Sequence, residues 1–212
     1  MMRSLLKRDI LLLTVRGTEG FTIILLYLMG VFLLRFHDYT PQNSVAHLLF
    51  LLFFILSQSL GTILRDDYRY GFLDMIQVNQ DGFLPFLWSK ILVWWGFAGG
   101  SLSLISAGFL LSQGAEIFYS FLVLMLSSFV IILVTLMISC LVLGSRSFKG
   151  GIFILSMPIY VPLFLFTLWA LDPSGPACSR QIFLGGLGMI LFYTPLCLTL
   201  SNKALREALD YK

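Results

Sequence analysis

Three features of this 212-residue chain predict an all-α polytopic membrane protein with six transmembrane helices. The first is composition. Of its residues 58% are hydrophobic and 12% charged, against ~25% charged in an ordinary soluble domain, and the mean hydropathy is +0.91. Too little polar sequence is left to cover a water-facing surface. The second is a series of apolar stretches at about 20–36, 45–64, 91–111, 117–143, 151–171 and 181–200. Each approaches the ~20 residues a helix needs to cross hydrocarbon. None alternates apolar and polar residues as a membrane strand would. The third is charge asymmetry. Arg3, Lys7, Arg8, Arg16, Arg65, Arg69, Lys90, Arg146, Lys149, Lys203, Arg206 and Lys212 fall in segments 1–19, 65–90, 144–150 and 201–212, and only Arg35 and Arg180 fall elsewhere. The excess of Lys and Arg marks the cytoplasmic side. An even number of crossings then puts both ends on that side.

The elements follow in order. In the lead, Met2, Leu5, Leu6, Leu12 and Leu13 fall near one helical face and Arg3 and Lys7 on another. This pattern predicts an N-terminal amphipathic helix on the cytoplasmic leaflet, or a plain basic anchor. Gly17 and Gly20 provide a bend into the first crossing. That crossing ends at Arg35-Phe36-His37-Asp38 with no small-x-small cleavage site, so it reads as retained rather than as a signal peptide. Arg35 snorkels to the interface. The outer connections are short, at 37–44, 112–116 and 172–180, the last carrying the turn-rich Asp172-Pro173-Ser174-Gly175-Pro176. The whole chain reads as one membrane domain, residues 1–212.

Segment 65–90 carries the most information. A helix there gathers Phe72, Leu73 and Ile76 on one side. Asp67, Asp74 and Asp81 recur every seven residues, so Asp67 and Asp74 share a face if the helix is continuous. With Asp66 they make four carboxylates on the side that favours bases. A coupling-type helix between the second and third crossings that docks a cytoplasmic protein fits this pattern, and so does a solvated interfacial helix. In the fifth stretch, Pro158 and Pro162 each remove a backbone donor inside a helix. They provide either a hinge or a fixed packing shape.

Several chemistries are disfavoured. The net charge of +3 is too small to argue for nucleic acid. Cys140, Cys178 and Cys197 stand too far apart for a disulfide framework or zinc spacing. The stretches hold almost no ionisable groups, with His47 and Gln58 the main polar exceptions, which argues against ion-coupled transport. His37 and His47 read as ordinary polar residues rather than metal or heme ligands. No phosphate loop is present; Gly144-Ser145-Arg146-Ser147-Phe148-Lys149 lacks the spacing. Gly99-Gly100-Ser101 has no histidine behind it to build an intramembrane serine protease. No catalytic, metal-binding or cofactor-binding residues are assigned.

Arg65-Asp66-Asp67, followed by Gly71, Leu73 and the acid Asp74, resembles the segment after the second crossing in the heme exporter protein B family. Leu64, Tyr70 and Phe72 depart from that family's pattern, which has an acid where Tyr70 stands. The region from Gly150-Gly151 and Ser156 through Pro158, Pro162, Leu163, Leu165 and Phe166 is similar to the family's fifth crossing, and Thr194-Pro195 and Ala204-Leu205-Arg206 fit near its end. The resemblance covers nearly the whole chain, and its Arg-Asp-Asp segment is the most specific part.

It implies an ABC-2-type permease subunit of the cytochrome c maturation complex in a bacterial inner membrane. A separate cytoplasmic ABC ATPase would bind ATP and dock at Arg65, Asp66, Asp67, Gly71 and Asp74, with Pro158 and Pro162 as a hinge. A heme-handling membrane subunit and a heme chaperone would complete the complex, with heme as cargo. Trp94-Trp95 is followed by Gly96, not an acid, so heme ligation is not carried over to this chain. An ABC-2 permease for a lipid or drug, and a non-transporting scaffold subunit, are the other readings.

Overall fold

The computed structural model describes residues 2–15, 17–35, 41–78, 83–112, 116–143, 151–171 and 179–210, apart from some side chains within them. Asp81, His37, Cys178, Arg16, Arg146 and Lys149, with most of the outer connections, lie outside the described residues. Among the described residues every regular element is a helix. They are α1 (Met2–Val15), α2 (Gly17–Arg35), α3 (Pro41–Arg69), α4 (Phe72–Val78), α5 (Leu84–Trp94), a π-helical turn (Trp95–Gly99), α6 (Gly100–Leu111), α7 (Ile117–Val142), α8 (Gly151–Leu171) and α9 (Ser179–Asp210).

Among the described residues, three helical stretches are long and apolar enough to cross a membrane: Leu84–Leu111, Phe118–Val142 and Leu184–Leu209. Shorter apolar helical stretches occupy Phe21–Leu34, Val45–Ser57 and Pro158–Leu171. Each overlies one of the predicted stretches. The boundaries differ where a helix runs past its apolar part. Helix α3 continues to Arg69, the α5–α6 stretch begins at Leu84 rather than 91, and α9 continues to Asp210. Backbone hydrogen bonding, which sets a helix end, is indifferent to side-chain polarity.

Helix α7 is the centre. It packs against α9, α3, α8 and α6, and Val130 through Cys140 are all buried. A helix apolar on all sides suits either a protein core or lipid, and the middle of α7 lies in the core. The hydroxyls on α7 satisfy themselves locally: Ser127 donates to the Val123 carbonyl, Thr135 to Ile131 and Ser139 to Thr135. Two of them also reach across to α8, Ser127 to Thr167 at 2.8 Å and Thr135 to Tyr160 at 2.7 Å.

Outside this core, α2 packs on α3 and α6. Tyr27 of α2 is fully buried, with its hydroxyl on Ser106. Phe21, Leu26, Met29, Phe32 and Leu33 of α2 face outward. So large an apolar outer surface suits lipid better than water.

The amphipathic helix differs from expectation. Leu5 of α1 is buried and Leu12 half-buried, and α1 lies chiefly against α5. Of the side predicted to rest on lipid, Leu5, Leu6 and Leu12 turn toward protein and Met2 faces outward, as do Ile10 and Leu11 beside the exposed Arg3 and Lys7.

Candidate functional site

The segment after α3 is not one continuous helix. Helix α3 stops at Arg69, and Gly71 adopts φ +69°, the left-handed conformation that glycine takes without a Cβ penalty. Tyr70 N–H donates to the Asp66 carbonyl at 3.0 Å, and Gly71 N–H to Tyr68 at 3.2 Å, which closes the end of α3. Helix α4 then starts at Phe72. Asp67 and Asp74 therefore belong to different helices and do not share a face, because the left-handed turn resets the helical phase between them.

The two acids have different surroundings. Asp67 points inward to an ion cluster and only 12% of its side chain is exposed. Lys90 Nζ lies 2.7 Å from Asp67 Oδ2 and 3.1 Å from Asp9 Oδ1. Arg8 reaches Asp9 Oδ1 at 2.8 Å and Asp67 Oδ1 at 3.6 Å. Ser89 Oγ donates to Asp9 Oδ2 at 2.8 Å. The Arg8 guanidinium lies 3.5 Å from the centre of the Phe72 ring, a cation–π contact to α4. The close Lys90–Asp67 approach is an ion pair, and Asp67 Oδ2 receives no directed hydrogen bond.

Two cations and two carboxylates balance, which is the condition for holding charge inside a protein. Asp9 is 3% and Lys90 2% exposed. The cluster takes residues from α1, α3 and α5 and touches α4 through Phe72. Thus it fixes the short helix to both long helices that flank it and to the N-terminal helix.

What this anchors is an outward ridge. Tyr70 is 80% and Met75 62% exposed, while Leu73 and Ile76 are buried beneath them. Asp66 and Asp74 are half-buried at its margin and Arg69 is exposed. Arg65 lies on α3, with its side chain outside the described residues. Gly71 forms the turn between the two helices. Pro158 and Pro162 stand together on the exposed side of α8, which continues through both as one helix. Tyr160 between them is buried and donates to the Ile131 carbonyl at 3.0 Å. His47 is exposed on α3, and Cys140 and Cys197 are buried free thiols.

Sequence reading counted Arg8 and Lys90 only as inward-side charges and passed over Asp9 and Ser89. A signal existed. Leu5, Asp9 and Leu12 repeat at helical spacing, so Asp9 is an acid on an apolar stripe and needs a buried cation. Lys90 stands on α5 where an apolar run begins, and nothing in the spacing pairs it with Asp9. Compared with known proteins, the chain matches no family model and no curated sequence.

Proposed function

We propose that this chain is the membrane permease subunit of an ABC-type complex, with six crossings, cytoplasmic termini and a bacterial inner-membrane location. Its ATPase is a separate cytoplasmic subunit that docks on the ridge formed by the end of α3 and by α4. The observation that carries this reading is the pairing of an exposed ridge, Tyr70 and Met75, with a buried ion cluster directly behind it. A helix of only 7 residues is unstable by itself in water. Anchored by Arg8 and Lys90, it becomes a rigid contact that transmits a push to α3, α5 and α1. Asp66 and Asp74 supply charge at the rim, whereas Asp67 acts from beneath by holding Lys90.

The resemblance to heme exporter protein B makes cytochrome c maturation the assigned pathway. In this reading a heme-handling membrane subunit and a heme chaperone are the further partners, heme is the cargo and ATP acts through the ATPase. The work is heme export or release of the loaded chaperone.

The test is co-purification of the complex from cells carrying Tyr70→Asp or Met75→Asp, with holocytochrome c yield measured alongside. Loss of a bound ATPase and of holocytochrome c, with the chain still inserted, is the expected result. An ATPase retained at parental level removes the docking face. Loss of the ATPase with an unchanged cytochrome yield transfers the chain to another cargo. Labelling of single cysteines at 37–44, 112–116 and 172–180 from outside, and at 144–150 from inside only, tests the six crossings.

A further inference from the structure

The helix that carries Lys90 changes character five residues later. Trp95–Gly99 winds as a π-helical turn between α5 and α6. Such turns interrupt the regular ladder and gather at functional positions. Here the interruption is supported by side chains. Ser101 Oγ donates to the carbonyls of Phe97 at 2.7 Å and Ala98 at 3.2 Å. Ser103 Oγ donates to Gly99 at 2.6 Å. Two hydroxyl protons thus serve three consecutive carbonyls, Phe97 to Gly99, in the wide turn. Changes in backbone geometry there leave fewer orphaned acceptors.

The turn is held along one side and open along the other. Trp95 Nε1 donates to the Met125 carbonyl of α7 at 3.0 Å, and its ring meets Phe129 edge-on at 5.2 Å. A Cβ on Gly99 would stand 2.9 Å from Ser128 Oγ, so the two helices nearly touch there. On the other side Gly96 is exposed, and a Cβ added to it would meet nothing within 4 Å. Below the turn, the ion cluster fixes α5 to α1 and α3; above it, Ser106 fixes α6 to Tyr27 of α2.

We infer that Trp95–Gly99 is a joint, at which α5 with the ion cluster and α4 tilts relative to α6, using α7 as its bearing. The proposal deepens the permease reading, since that reading supplies the push at α4. It places the flexing element in the glycine-bearing helix rather than at the proline pair of α8.

Two glycines make the test clean. Gly96 and Gly108 are both exposed on this stretch, and neither would meet an atom within 4 Å on gaining a Cβ. Neither Gly96→Ala nor Gly108→Ala therefore creates a clash. Of the two, only Gly96 lies in the joint, where a Cβ restricts the backbone that glycine leaves free. Spin labels at Leu84→Cys and Leu111→Cys straddle the joint and keep off the docking ridge; labels at Leu111→Cys and Phe118→Cys lie beyond it. The native cysteines are replaced, and the full chain is reconstituted alone in lipid nanodiscs.

The straddling pair is expected to give a broad or two-component distance distribution that Gly96→Ala narrows and Gly108→Ala leaves alone. The distal pair is expected to stay narrow. A narrow straddling distribution in the parent, or equal responses to the two alanines, overturns the joint. With the co-purified ATPase present, ATP is expected to shift the straddling distance. Gly96→Ala is expected to reduce that response without loss of bound ATPase, and Gly108→Ala to leave it unchanged. An ATP shift insensitive to Gly96→Ala also overturns the joint. A distribution that responds to Gly96→Ala in a chain that retains no ATPase supports the joint and overturns the permease reading alone.

Discussion

Replacing Lys90 with methionine preserves much of the side-chain length and removes its charge. In the parent, Arg8 and Lys90 balance Asp9 and Asp67. In Lys90→Met two carboxylates face one cation, and among the described residues Asp67 keeps only the 3.6 Å approach of Arg8. Breaking a buried pair in this way typically costs about 3–5 kcal/mol. In a chain of this size that corresponds to a fall in Tm on the order of 10 °C. Adding Asp9→Asn restores the balance of one cation to one carboxylate and leaves an amide that still accepts from Ser89. The double variant should therefore lose less than the sum of the two single losses, by roughly 0.5–3 kcal/mol of coupling. Thermal melting of the detergent-solubilised chain, followed by size-exclusion, measures all three variants. A Lys90→Met variant that melts with the parent, or a double variant whose loss equals the sum, would refute the view that the cluster acts as one charge-balanced unit.

Three further outcomes follow from single contacts. Gly71→Ala should cost about 1–2 kcal/mol through its left-handed backbone, since the new Cβ would meet only Asp74 Oδ2 at 3.7 Å; Gly71→Asn should cost less, and melting curves of the two variants compare them. Tyr160→Phe removes the hydroxyl shared with Thr135 and the Ile131 carbonyl. It should destabilise by about 0.6 kcal/mol and no more than ~1.7, the range for hydrogen bonds between membrane helices, as read from steric-trap or denaturant unfolding. Gly185→Val places a side chain where Phe166 already stands, 2.7 Å from the Cβ position. Overpacking there should cost about 1–3 kcal/mol, and a compensating Phe166→Leu should recover part of it in the same unfolding assay.

Hydrophobic runs made the helices legible. The approximate ends of α7 and α8 came from the same runs, because both helices are almost wholly apolar. Periodicity found α1 and the apolar side of α4, where Leu73 and Ile76 are buried and Phe72 is half-buried. Leu5 and Leu12 of α1 were assigned to lipid, and they pack on protein instead. An apolar face has the same pattern whichever apolar partner it buries. At α4 the spacing of Asp67 and Asp74 suggested one acidic face, and the positive φ of Gly71 broke it. A glycine in sequence permits a left-handed turn without requiring one.

By itself, then, the sequence determined that this chain is helical, apolar and asymmetric in charge, and which short segment between two long helices carries unusual acids. These are properties of composition and local spacing, which survive without knowledge of any neighbour. Only the tertiary structure decided that Arg8 and Asp9 meet Asp67 and Lys90, residues far apart in the chain. It also turned Asp67 inward while leaving Tyr70 and Met75 outward, and set the π-helical turn five residues beyond Lys90. The physical reason is that a buried charge is specified by its partner. Isolated, Arg8, Asp67 and Lys90 read as solvated ions and Asp9 as an acid on an apolar stripe without a named partner; gathered by packed helices, the four neutralise one another and fix a short helix to the bundle.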